Sequence, residues 1–147
     1  MDDPVELEYE NWSRDEGPDW TLYYPSEVTD DEGRISRIVD WVRSVAEEWT
    51  DSGAGRGRRN GVFEAPVDDE EWFLKQYHHG GLLAGDDDVH YSTPDRFLAE
   101  LEGTLRAREA GVRTPDPRFV LVLQAGKNRY EGYFASRFIP DTQSLSK

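Results

Sequence analysis

Residues 53–81 read GAGRGRRNGVFEAPVDDEEWFLKQYHHGG, and this stretch decides the fold. Gly53, Gly55 and Gly57 open it, interleaved with Arg56, Arg58 and Arg59. A short apolar run follows (Val62, Phe63), then an acidic turn from Asp68 to Glu71, then a second run, Trp72-Phe73-Leu74, that ends on Lys75. Two β-prone runs separated by turn residues predict a strand–turn–strand hairpin. Glycine lets a turn approach a ligand closely, and successive backbone N–H groups there form a concave nest for anions. The hairpin therefore has a candidate phosphate-binding mouth. A glycine-rich turn without function is the alternative. The third glycine of a G-x-G-x-x-G pattern is Asn60 here, and no G-K-[ST] follows, which excludes a P-loop NTPase.

Lys75 sharpens that reading. A lysine closing an apolar strand must bring its ammonium to something polar, because an unpaired buried charge is costly and is relieved by losing the proton. A ligand phosphate together with a carboxylate from a nearby helix would satisfy it, and Glu100 is the candidate carboxylate. Alternatively, the lysine stem snorkels to solvent at a strand edge. Arg56, Arg58 and Arg59 form a dense basic cluster that either faces a phosphorylated ligand or is a solvated loop. His78 and His79 are neighbours that point to opposite faces of a strand, so they do not chelate one ion together, and no metal site is expected.

Outward from the hairpin, Ile35, Ile38, Val39, Val42, Val45, Ala46 and Trp49 recur at helical spacing and predict an amphipathic helix over 34–49 that packs on the core. Thr29 with Glu32 offers it a capping box, weakened by Gly33. Ser92-Thr93-Pro94-Asp95 starts a second helix, with Thr93 as cap and Pro94 at the first helical position. Phe97, Leu98, Leu101 and Leu105 form its buried stripe, Glu100 lies at the edge of that stripe, and Gly111 stops it. Residues 119–123, FVLVL, read as a strand buried on both faces. A turn at Ala125–Asn128 leads to a partner strand from Tyr130 to Ile139. Residues 1–33, acidic and aromatic (Tyr9, Trp12, Trp20, Tyr23, Tyr24), show no sustained period. They are expected to be an arm laid on the domain by its rings or a partly disordered leader. The expected fold class is α+β, an antiparallel sheet with a helix packed on one face.

At 147 residues the chain is long enough for one domain with its own core. No cysteine is present, which excludes disulfides, thiolate metal sites and a cysteine nucleophile. No apolar run approaches the ~20 residues of a membrane span, and the first residues lack the pattern of a signal peptide, so a soluble cytoplasmic protein is expected. With 31 acidic against 17 basic residues, the formal charge of −14 argues against nucleic acid as a partner. Lys75, Lys127 and Lys147 are the only lysines. That acid-rich, lysine-poor bias suits a high-salt cytoplasm, although high-GC codon usage also favours arginine.

Gly55-Arg56-Gly57, Leu74-Lys75-x-Tyr77-x-x-Gly80-Gly81-Leu82, the helix bearing Glu100 followed by Gly111-Val112-x-x-Pro115, and Phe138-Ile139-Pro140 together resemble the N-terminal lobe of the bacterial lipopolysaccharide kinases. These are distant relatives of the protein kinases that phosphorylate Kdo or heptose sugars. The resemblance covers roughly residues 50–147. It implies a protein-kinase-like N-lobe over 34–147, with a packed αC-type helix and an extra N-terminal helix. It also implies that Gly53, Gly55, Arg56 and Gly57 lie over the ATP phosphates, that Lys75 contacts those phosphates and Glu100 orients it, and that Arg137, Phe138 and Ile139 approach the adenine. The implied cofactors are ATP and Mg2+, with the metal ligands and catalytic Asp in a second, helical lobe that this stretch lacks. The implied acceptor is a sugar such as lipid A-linked Kdo, reached at the inner membrane surface. Two alternatives stay open. One is the corresponding lobe of a small-molecule phosphotransferase of aminoglycoside or choline type. The other is a non-catalytic regulatory module, for which a bare apolar face would favour a homodimer.

Overall fold

The computed structural model describes residues 11–28, 33–51, 60–77 and 91–138. They form an α+β fold: a six-stranded antiparallel sheet with one helix on each face. In chain order the elements are β1 (Trp12–Glu16), β2 (Trp20–Pro25), α1 (Arg34–Asp51), β3 (Asn60–Glu64), β4 (Glu71–Gln76), α2 (Asp95–Glu109), β5 (Asp116–Gly126) and β6 (Arg129–Phe138). The strand order is β1-β2-β5-β6-β4-β3.

The hairpin expected from the opening stretch is β3–β4, with Val62 opposite Phe73 and Asn60 opposite Lys75. Asp68 and Asp69 take positive φ in its turn, a conformation that aspartate tolerates better than most residues. β4 pairs on its other side with β6, which brings Lys75 opposite Phe134. β5 is buried on both faces at Phe119, Val120, Leu121 and Val122 because it lies near the middle of the sheet between the two helices.

The stripe read along α1 faces the sheet. Ile35, Ile38, Val39, Val42, Val45 and Trp49 pack with Leu22, Trp72, Leu74, Phe119, Leu121, Tyr133 and Ala135. Each such side chain, fully buried, stabilises the fold by roughly 1.5–3 kcal/mol before the entropy of ordering is subtracted. Trp41 extends this layer, meeting Phe63 and Trp72 edge-on at 6.0 and 5.8 Å. On the opposite face, Phe97, Leu98 and Leu101 of α2 pack with Tyr23, Tyr77, Val120, Val122 and Phe134. The expectation of a helix on one face only is thus corrected: helical spacing identifies which side of a helix is apolar, but not which face of a sheet it meets.

Two further expectations are revised. Residues 12–25 are neither an arm nor a leader but the β1–β2 hairpin, and β2 hydrogen-bonds to β5 so that Leu22 and Tyr23 enter opposite cores. Pro94 stands at the N-cap of α2, one position earlier than expected, because the Phe97 amide donates to its carbonyl. The Thr93 hydroxyl accepts from the Asp95 amide at 3.2 Å. At the other end Gly111 has φ +88°, its amide donates to Arg108, and the Val112 amide reaches back to Ala107. These paired bonds around a left-handed residue make a Schellman stop, which requires glycine at little cost. The capping box Thr29–Glu32 lies outside the described residues.

Candidate functional site

Strand alternation fixes what β4 shows to each side. Trp72 and Leu74 go into the α1 core; Phe73, Lys75 and, one step past the strand, Tyr77 go to the α2 side. On α2, Glu100 follows Phe97 by three positions and precedes Leu101 by one, so it sits at the rim of the stripe that faces the sheet. The two geometries converge. Lys75 Nζ donates to Glu100 Oε2 at 3.2 Å, with the side chains 35% and 44% exposed. A pair this open contributes about 0–1 kcal/mol to stability, so it positions the ammonium more than it holds the fold.

The ammonium also stands 5.1 Å from the centroid of the Tyr77 ring and 5.7 Å from that of Phe134. Both rings therefore attract it electrostatically. Tyr77 is 6% exposed and is held by Phe97, its ring centroid 5.0 Å away. Its hydroxyl is buried and, among the described residues, has no hydrogen-bond partner. Burial foremost, and then the Glu100 carboxylate, through its charge and as a hydrogen-bonding neighbour of the phenol, push the phenol pKa well above its ordinary value. Tyr91 adds to this and Arg96 opposes it. Tyr77 is accordingly a neutral donor, close enough to Glu100 to feel its charge yet without a hydrogen bond of good geometry.

Beside Lys75 the same face is apolar and partly open. Phe73 is half-buried, Val62 opposite it on β3 is 42% exposed, and Phe138 at the end of β6 is 37% exposed. Arg137, next to Phe138, points to the other face. There its Nε lies 3.7 Å from Glu70, within a network in which Arg118 grips both oxygens of Glu70 at 3.0 and 3.1 Å. The structure thus brings Lys75 and Glu100 together, places Phe138 on their face and turns Arg137 away from it. Gly53, Gly55, Arg56, Gly57 and Ile139, and likewise His78, His79 and His90, lie outside the described residues. β3 begins at Asn60, directly across from Lys75.

A cavity of about 500 Å³ lies elsewhere, between the β1–β2 turn, the first turn of α2 and the β5–β6 turn. Trp20, Tyr23 and Tyr130 line it with Glu16, Asp19 and Asp95. It touches neither Lys75 nor Glu100, and an acidic lining suits no phosphate, so the open face at Lys75 is the better candidate site.

The sequence reading missed Tyr77 and Phe134 as neighbours of Lys75, and Val62 as the partner of Phe73 on the same face. A period of two counted from Lys75 finds Phe73 and Tyr77, whereas Val62 and Phe134 depend on pairing register. Among the described residues, no helix is long and apolar enough to cross a membrane. Comparison with protein-family models, with curated proteins and with solved structures finds no match for this chain.

Proposed function

We propose that this chain is the nucleotide-binding lobe of an ATP-dependent sugar kinase of the lipopolysaccharide-kinase type, with Lys75 contacting the phosphates and Glu100 orienting it toward them. The observation that carries the reading is the Lys75–Glu100 contact: a strand-borne cation directed by a helix-borne carboxylate on one open face of the sheet. Two neighbouring features support it. The apolar strip of Val62 and Phe73 gives a flat base a surface to lie on, and β3, which follows the glycine-rich stretch in sequence, begins at Asn60 opposite Lys75. These residues fit a nucleoside triphosphate, whose bound form supplies the transferable phosphoryl group. This chain's own part is to hold negative charge and exclude water from one side, which is the larger share of catalysis in phosphoryl transfer. The catalytic Asp, the Mg2+ ligands and the acceptor groove belong, on this reading, to a second lobe.

Calorimetry with MgATP tests it. The wild-type chain should bind, and Lys75→Ala should lower affinity by about tenfold or more, the worth of one charge-assisted contact. Affinity indifferent to Lys75→Ala would remove the phosphate role. An absence of binding by the wild type would favour the second reading, a non-catalytic interaction module. The exposure of Val62 and Phe138 on one face favours that alternative.

A further inference from the structure

We propose that Tyr77 is a positioning residue of this site, whose hydroxyl takes over Glu100 when an anionic ligand draws the Lys75 ammonium away. The inference rests on the phosphate role of Lys75 for its biological meaning, but not for its test.

Three features of the structure carry it. The Tyr77 hydroxyl is buried with no hydrogen-bond partner among the described residues, a condition that native structures rarely leave without a reason. Glu100, the group that would accept from it, is engaged by Lys75 instead, at a length well beyond that of a strong charge-assisted bond. The tyrosine ring is fixed on one side by Phe97 and lies within reach of the ammonium, so the phenol cannot swing off to solvent to find another partner. One carboxylate therefore has two donors beside it, one bonded and one within its influence but not in hydrogen-bonding geometry.

Lysine has three N–H donors and a flexible stem, whereas the phenol has one donor on a rigid ring. An arriving phosphate competes with Glu100 for the flexible donor. Without a substitute, each increment of contact that Lys75 gives the ligand strips a hydrogen bond from a carboxylate next to aromatic rings. With Tyr77 as the substitute, Glu100 stays bonded and the ammonium is released at lower cost. The phenol remains a neutral donor throughout, because burial resists its ionisation.

The exchange is testable without any ligand, using the full chain and a double-mutant cycle in thermal stability. Lys75→Met keeps the stem and removes the ammonium, as the ligand would. In the wild-type background, Tyr77→Phe should leave Tm unchanged or raise it, since it deletes an unpaired buried hydroxyl. In the Lys75→Met background the same change should lower Tm, since there the hydroxyl is bonded to Glu100. Additive effects of the two substitutions would overturn the proposal. If Lys75→Met does not fold, Lys75→Gln serves in its place.

Calorimetry with MgATP supplies the second arm. Tyr77→Phe should weaken binding roughly three- to tenfold, the worth of one hydrogen bond, and should do so only while Glu100 is present, having no effect on top of Glu100→Gln. An equal loss in the Glu100→Gln background would show the hydroxyl acting on the ligand directly and would overturn the exchange. Coupling in the melts without any MgATP binding would sink the nucleotide reading and leave the exchange standing. Additive melts with Lys75-dependent MgATP binding would do the reverse.

Discussion

At the scale of single residues, Glu70 does for the end of the sheet what Lys75 does for its open face. It accepts from Arg118 through both oxygens, from the Trp72 indole at 2.8 Å, and lies near Arg137, so the β3–β4 turn is tied to the start of β5 and the end of β6. Burial pushes its pKa up, but the hydrogen bonds from Trp72 and Arg118 and the charges of Arg118 and Arg137 outweigh burial and leave it below the ordinary 4.5. A carboxylate whose folded pKa is depressed contributes stability above its unfolded pKa, and that contribution fades as pH falls through the folded value. Melts of the wild type should therefore lose this part of Tm only below about pH 4.5. Glu70→Gln should cost about 1–3 kcal/mol near neutrality, because it removes the charge that Arg118 grips through two bonds and leaves it only the Asp116 carboxylate at 3.3 Å, and should flatten the acid limb. A substitution that leaves both the neutral Tm and the acid limb unchanged would show the network to be ornamental. None of this network was visible in the sequence, since its members are spread from residue 70 to residue 137. The Lys75–Glu100 contact was legible because an isolated lysine in an apolar run demands a polar partner, and the edge of the next apolar stripe offered one.

At the scale of elements, α2 must sit close to the sheet for Glu100 to reach Lys75, and Gly132 sets how close. A Cβ on Gly132 would meet the Phe97 ring at 2.5 Å, well inside van der Waals contact, and Phe97 is fully buried with nowhere to turn. Gly132→Ala should push α2 outward, costing about 1–3 kcal/mol as an overpacked core does. The same shift should weaken Lys75-dependent MgATP binding, although Gly132 acts only through Phe97 of α2. Loss of stability with ligand affinity intact would mean that the helix recovers its place. Both helices were readable from period and stop signals, because each has one apolar face. The β1–β2 hairpin was not, for a reason that lies in its surroundings. Leu22, Tyr23 and Tyr24 are all buried because β2 has a core on either side, and the alternation sought in a half-exposed strand is absent there. β1, at the sheet edge, carries Arg14, Asp15 and Glu16 in succession, which reads as loop until a partner strand is known.

At the scale of the whole molecule, the net charge of −14 is the dominant long-range force, and it sets how the fold answers to salt. Two opposing terms are present. Mutual repulsion of the surplus carboxylates favours the expanded chain, while ion pairs such as Arg43–Asp19 at 2.9 Å and Arg118–Glu70 favour the folded one. Salt weakens both, but not equally. The Arg43–Asp19 side chains are 43% and 50% exposed, so that pair is worth little to begin with, and the better-buried Glu70 network is shielded from ions. The repulsion acts between groups far apart in water, where a Debye length of about 30 Å at 0.01 M shrinks to about 3 Å at 1 M. The repulsive term therefore loses more, and Tm should climb as sodium chloride rises from 0.01 to 1 M, most steeply at the low end where screening changes fastest. A Tm that falls with salt would mean that the ion pairs govern stability. A charge-reducing control, replacing exposed acids such as Glu47 and Glu48 of α1 with glutamine, should raise Tm at low salt and have little effect at high salt, because it removes the same repulsion that the ions screen.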